Sequence, residues 1–195
     1  MIAAVVVSLS EFEVAPEDTQ QPLSLAANDF ELFDLPQCFE LNRSELDNRW
    51  KKLQRQVHPD QFVSQGAAAQ RLAMQWSVRI NEAYQRLKSP LQRAAYLCEL
   101  NGSPVQADDN TSMSSDFLML QMQWREALDD AGTLQALTAL ETEIQQHRAK
   151  ALAQLAHCLD VTHRWDEAVC EVRALMFVDK FEQDLHRQFE RLENA

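Results

Sequence analysis

Apolar positions along this chain recur at intervals of three and four, and no run alternates with period two after the first few residues. That is the pattern of helices, not strands. Asn28 and Asp29 are good N-cap types before Phe30, Leu32, Phe33 and Leu35, and Pro36 is expected to end this short helix. Ser44 can cap a second helix. Its apolar residues Leu46, Trp50, Leu53 and Val57 fall within an arc of about 60° at 100° per residue. Pro59 stops that helix, because it lacks a donor and disfavours helix in the residue before it. A short loop, 61–66, leads to a third helix from Ala67 to about Lys88, striped with Leu72, Trp76, Ile80, Ala83 and Leu87. Ser89-Pro90 opens a fourth, carrying Leu91, Ala94, Ala95, Leu97 and Cys98, and Asn101-Gly102 closes it.

Residues 102–115, GSPVQADDNTSMSS, have the composition of a linker. Three helices are expected after it: Asp116 to Asp130, Thr133 to about Cys158, and about Thr162 to Leu192. Short connections make neighbours antiparallel. The last helix spaces Val172, Leu175, Val178, Phe181, Leu185, Phe189 and Leu192 much like a heptad seam. The expected fold is all-α: a helical hairpin with a short leading helix, followed by an antiparallel three-helix bundle. The expected modules are 29–101, including the fourth helix, and 116–195, joined by 102–115.

Composition sharpens this reading. The 195 residues include only 3 glycines and 6 prolines, and the net charge is −12. Residues 1–28 hold four acids and no base, residues 29–101 nine acids and ten bases, and residues 102–195 seventeen acids and eight bases. A near-neutral module beside an acidic one suggests different partners. So acidic a chain is a poor nucleic-acid binder. The apolar run Ile2–Val7 is too short to span a membrane and lacks a basic flank, so 1–28 is expected to be an acidic, weakly structured tail. Cys38, Cys98, Cys158 and Cys170 form no C-x-x-C pair, which fits a reduced, cytoplasmic setting.

Two constellations carry chemistry. His58-Pro59-Asp60 sits where the second helix ends, and Lys51, Lys52 and Arg55 lie opposite that helix's apolar stripe. A basic helix face is ordinarily just solvated, and the tripeptide alone recurs by chance. In combination, a capped amphipathic helix, a basic outer face, the tripeptide, a short loop and an antiparallel amphipathic helix resemble the J-domain over Asp29 to about Lys88. The resemblance implies that His58, Pro59 and Asp60 contact a DnaK-type chaperone, with Lys51, Lys52 and Arg55 meeting an acidic surface there. Gln61 stands where many J-domains have lysine, so the local positive charge is lower.

The fifth helix has two apolar sides. Phe117, Leu120, Trp124, Ala127 and Leu128 suffice as a core stripe, whereas Leu118, Met119 and Met122 lie roughly opposite, fringed by Gln123, Glu126, Asp129 and Asp130. Such a helix is either sandwiched between neighbours or offers one face to a partner. Interleaved acids and adaptable methionines favour a partner, and Phe177 is placed to extend the patch.

The segments FELFDLP, LQRQVHPDQF, SPLQRAAYLCELNG, DFLMLQMQWREALDD and WDEAVCEVRALMFVDKF resemble the HscB family across nearly all of residues 29–181. The resemblance implies a co-chaperone that serves an HscA-type chaperone in iron–sulfur cluster biogenesis. It further implies that an IscU-type scaffold docks on Leu118, Met119, Met122, Gln123, Glu126, Asp130 and Phe177. Gln123 stands where the family pattern favours an acid. Neither a cofactor nor a membrane is implied.

Other classes fit less well. A general J-protein for unfolded clients would need a Gly/Phe-rich linker and a zinc or β-rich client domain, and neither is seen. His58 and Asp60 lack a nucleophile for enzyme chemistry. His157, Cys158, His163 and Cys170 straddle two helices without a compact ligand pattern. The zinc-binding N-terminal segment of some family members is not expected, since no cysteine precedes Cys38. His147 and His186 read as solvated helix residues. A bland helical adaptor would explain the bundle but not the His-Pro-Asp hairpin.

Overall fold

The computed structural model describes residues 26–105 and 113–194. The acidic segment before residue 26 lies outside them, with the expectation attached to it, as do positions 106–112 of the expected linker. Among the described residues every regular element is helical. In order they are α1 (Asp29–Leu32), α2 (Arg43–Gln56), a 3-10 segment (Pro59–Gln65), α3 (Ala67–Lys88), α4 (Pro90–Leu100), α5 (Ser115–Asp130), α6 (Leu134–Ala156), a π-helical turn (His157–Thr162) and α7 (Trp165–Glu193).

The chain divides into two compact units: α1 to α3, and α4 to α7 together with the short segment Cys38–Glu40. The fourth helix therefore groups with the second unit rather than with the expected module 29–101. Its stripe, Leu91, Ala94, Leu97 and Cys98, is buried, and the helix packs against α7. Local pattern could not reveal this, because a helix with one apolar stripe looks the same whichever neighbour covers it.

In the first unit, α1 opens with a reciprocal capping box. Asn28 Oδ1 accepts from the Glu31 N–H and the Glu31 carboxylate accepts from the Asn28 N–H, each at 3.0 Å. It closes before Pro36 is reached. Asp34 adopts φ 51°, its N–H donates to the Glu31 carbonyl, and the Leu35 N–H donates to Phe30. This is a left-handed C-terminal cap, so the turn and not the proline ends the helix. Helix α2 likewise begins one residue ahead of Ser44: Asn42 is the cap, accepting from the Glu45 N–H at 3.2 Å. The earlier start adds the i,i+4 pair Arg43–Asp47 at 2.8 Å.

Contacts between α2 and α3 run in opposite directions along the two helices. Arg43 donates to the Lys88 carbonyl, Tyr84 to Asp47, Trp50 Nε1 to Asn81, and Gln54 to the Ser77 carbonyl. The hairpin is antiparallel, as expected. Trp50 stacks on Tyr84 with ring centroids 4.6 Å apart. Leu46, Val57, Trp76, Ile80, Ala83 and Leu87 are buried beneath, while Trp50, Leu53 and Leu72 are only half-buried.

A buried ionic cluster joins α1 to α3. Asp29 is fully buried and faces Arg79 at 2.7 Å and Arg86 at 2.8 Å, both from α3. Removing one member of such a set leaves charge buried without its counterpart, which costs more than the net worth of the pair. Asp29→Ala is expected to destabilise the first unit by about 3–5 kcal/mol. Urea unfolding followed by the fluorescence of Trp50 and Trp76 would measure it, and a loss below about 1 kcal/mol would show the cluster to be dispensable.

In the second unit, α5, α6 and α7 enclose a core of Phe117, Trp124, Leu137, Leu140, Ile144, Val178, Phe181 and Leu185. Gln145 pairs with Glu182, and Arg148 with Asp179 and Glu182, so α6 and α7 run antiparallel. The segment Cys38–Glu40 is strapped on by the Asp160 carboxylate, which accepts from the N–H groups of Phe39 (2.6 Å) and Glu40 (2.9 Å). Arg93 donates to the Phe39 carbonyl at 2.7 Å and lies over its ring. None of the four cysteines is in a disulfide. Burial pushes the Cys98 thiol up to about 11, with neighbouring Cys158 acting in the same direction.

Candidate functional site

The first candidate surface lies at the end of α2. Val57, 3% exposed, caps the helix, and Phe62, 7% exposed, anchors the following 3-10 segment. Between these two apolar pins the chain cannot turn inward, so His58 and Asp60 are held out with side chains 57% and 86% exposed. Pro59 occupies the first position of the 3-10 segment, where its missing donor costs nothing. His58 Nδ1 accepts from the Asp60 N–H at 3.3 Å and lies 3.6 Å from the Asp60 carboxylate. The expected loop 61–66 is thus mostly a 3-10 turn, with Gly66 in the left-handed region (φ 92°) launching α3.

Lys51, Lys52 and Arg55 are all exposed on the outer face of α2, and no carboxylate among the described residues pairs with them. Three exposed cations leading to an open turn that carries an exposed carboxylate make a surface able to steer and register an acidic partner. The apolar stripe behind them places this basic face outward.

The second candidate surface is the outer side of α5. Ser114 caps the helix, accepting from the Phe117 N–H at 3.2 Å. Phe117 and Trp124 enter the core, and Trp124 Nε1 donates to Glu143 at 2.9 Å. Facing away from them, Leu118 is 47% exposed, Met119 57% and Met122 72%. Gln123, Glu126 and Asp130 are exposed beside them. Among the described residues this face is not sandwiched. Ala127, expected in the core stripe, is exposed. It lies about 70° off the line through Phe117 and Trp124, and two covering helices are too few to reach it.

Phe177, from α7, is half-buried. Its ring meets Phe117 edge-on at 5.8 Å and stacks on Phe181 at 5.9 Å, and the Arg125 guanidinium lies 5.7 Å from its centroid. It is held by core rings and partly covered by Arg125, which leaves it half-buried. Two neighbours were not expected. Arg125 sits one turn beyond Gln121 on the helix's flank, and only the tertiary fold shows that it covers an aromatic ring. His147, expected to be solvated, is half-buried against Phe117 (5.6 Å) and Trp124 (5.3 Å). Burial and then the Lys150 ammonium push its pKa below the ordinary histidine value, with the Glu143 carboxylate partly opposing. His186 is exposed and lies 3.5 Å from Glu190.

The possible ligands His157, Cys158, His163 and Cys170 are not brought together. Cys158 is buried, the other three are exposed, and His163 Nδ1 is engaged with the Leu159 carbonyl at 2.9 Å. Among the described residues no three His, Cys, Asp or Glu side chains are placed to hold a metal ion. No helix among them is long and apolar enough to cross a membrane.

A co-chaperone protein HscB homolog of Paraburkholderia xenovorans (strain LB400) is 45% identical over 175 residues, which is 88% of this chain and 99% of that protein. The chain belongs to the HscB family of co-chaperones. An HscB homolog of Burkholderia mallei (strain SAVP1) is also 45% identical, over 176 residues. Residues 113–186 match the family described as the HSCB C-terminal oligomerisation domain. Among solved structures, chaperone HscB from Vibrio cholerae has a TM-score of 0.73 at 36% identity, covering 85% of this chain and 99% of its own. Human co-chaperone HscB has a TM-score of 0.80 at 24% identity, covering 86% and 85%, and is similar in fold. This HscB-family chain is therefore a J-domain co-chaperone of iron–sulfur cluster biogenesis, acting with an Hsp70-type chaperone.

Proposed function

We propose that this chain delivers an IscU-type iron–sulfur scaffold to an HscA/DnaK-type chaperone in the cytoplasm and stimulates the ATPase of that chaperone. The observation that carries the reading is a pair of open surfaces of contrasting chemistry, one on each unit. His58, Pro59, Asp60, Lys51, Lys52 and Arg55 form a charged face suited to the chaperone. Leu118, Met119 and Met122 form an exposed apolar face with Gln123, Glu126 and Asp130 exposed beside it, suited to the scaffold, and half-buried Phe177 of α7 is assigned to the same site.

The division of labour follows from physics. Exposed cations accelerate encounter and set register more than they add affinity. A flat apolar wall rimmed by polar groups supplies the buried contact area that holds a folded protein. Carrying both on one chain raises the concentration of scaffold at the chaperone without new contacts. Nothing in the scheme requires this chain to bind ATP, a metal, nucleic acid or lipid, or to catalyse a reaction itself.

The test is steady-state ATP hydrolysis by the purified chaperone, alone, with this protein, with the scaffold, and with both. The expected result is stimulation by this protein, and greater stimulation with both than the separate effects combined. A rate unchanged by this protein at saturating concentration overturns the proposal.

A further inference from the structure

The wall on α5 owes much of its apolar surface to thioethers. Met119 and Met122 are three residues apart on one face, 57% and 72% exposed. Of the other methionines described, Met113 and Met176 are partly buried, and Met74 is 61% exposed on α3 of the other unit. A leucine pair would give a similar apolar surface without the chemical vulnerability, since a thioether oxidises to a polar, chiral sulfoxide. Three of the four cysteines are poorer targets, Cys170 being exposed: Cys98 and Cys158 are buried, and burial raises their thiols and that of half-buried Cys38 away from the reactive thiolate.

We propose that Met119 and Met122 form an oxidation-sensitive modification site, and that their conversion to sulfoxides by a hydroperoxide releases the bound scaffold. The inference rests on the scaffold reading given above. In the step, a sulfur lone pair attacks one peroxide oxygen, an S–O bond forms and the O–O bond breaks. The second oxygen leaves as water when the oxidant is hydrogen peroxide. Sulfur loses two electrons and the peroxide gains them. A sulfoxide reductase using a dithiol reverses the change, yielding thioether, disulfide and water.

The consequence follows from burial. A sulfoxide oxygen is a strong acceptor, and an apolar partner surface laid over it would leave it desolvated without a donor. Scaffold affinity is expected to fall about tenfold or more on oxidation of the pair. Met119 and Met122 project outward from an exposed face, so the helix itself should survive.

The experiment uses the full chain carrying Cys170→Ser, which removes the exposed thiol. Hydrogen peroxide is applied, oxidised peptides are mapped by mass, and scaffold binding is measured by calorimetry before and after. Met119 and Met122 are expected to oxidise ahead of Met113 and Met176, with affinity lost in step and restored by sulfoxide reductase. Met119→Leu/Met122→Leu, compared with itself before oxidant, should keep its affinity, whereas Met74→Leu should remain as sensitive as the parent. Oxidation of Met113 or Met176 first, or an oxidised pair that binds as tightly as the untreated protein, overturns the inference. A protein that does not bind scaffold before oxidant overturns the delivery reading and the release with it, while the peptide map still decides whether the modification site exists.

Discussion

Asp60→Asn is expected to abolish stimulation of the chaperone ATPase while leaving the fold intact. The carboxylate is 86% exposed and makes no contact to the core. Its closest described relations are the cap that its own N–H donates to His58 and the exposed approach to that imidazole. Asparagine keeps the size and the backbone cap, so stability should change by less than about 0.5 kcal/mol. What asparagine removes is the charge. A carboxylate meeting a cation on the partner makes a charge-assisted bond, and losing one member of such a pair costs about 2–5 kcal/mol. Because Pro59 and the Phe62 anchor hold the turn outward, no neighbouring acid can move in to replace it. Circular dichroism and urea midpoints unchanged from the parent, with ATPase stimulation reduced to the basal level, is the expected pair of results. Stimulation within about twofold of the parent would remove Asp60 from the docking surface.

The second large effect concerns the wall. Leu118→Ala, Met119→Ala and Met122→Ala together are expected to weaken scaffold binding about a hundredfold or more, since central apolar anchors carry most of an interface's energy. The three side chains are 47%, 57% and 72% exposed, and alanine is the best helix former, so α5 should be at least as stable as before. Phe177 is left in place deliberately. Its ring touches Phe117 and Phe181, so truncating it would disturb the core as well as the surface. The variant should still stimulate the chaperone in the absence of scaffold, because the His-Pro-Asp turn is untouched. Calorimetric titration with the scaffold would measure the first effect. An unchanged dissociation constant would mean that the scaffold docks elsewhere.

These two results bear on different units, and each leaves the other's surface intact. A chain carrying both sets of substitutions should be folded and inert, which separates loss of docking from loss of structure. Asp29→Ala is the contrasting case, where a group with no place in either surface is expected to remove stability instead.

Much of this was legible in the residues themselves. The bounds of α3, the antiparallel hairpin, the outward basic face and the two-sided α5 all follow from local periodicity. Helical period 3.6 assigns each residue to a face before any neighbour is known. The capping errors at α1 and α2 have a different origin. Asn42 and Ser44 are both competent caps, and Pro36 is a competent stop, so the choice depends on which set of turn bonds closes. At α1 the left-handed Asp34 finishes the helix first. At α2 the Asn42 cap adds the Arg43–Asp47 pair.

Other features depend on pairs of residues far apart in the chain. Asp29 meets Arg79 and Arg86, Phe39 and Glu40 meet Asp160, His147 lies between Phe117 and Trp124, and Arg125 covers Phe177. No periodicity points to any of these. The amino-acid sequence alone determined which faces of which helices are apolar, basic or doubly apolar, because those properties are set by rise and rotation along a single helix. Only the tertiary structure decided which of those faces stay in water, where α4 belongs and which charges are buried, because solvent exposure is a property of what packs on top.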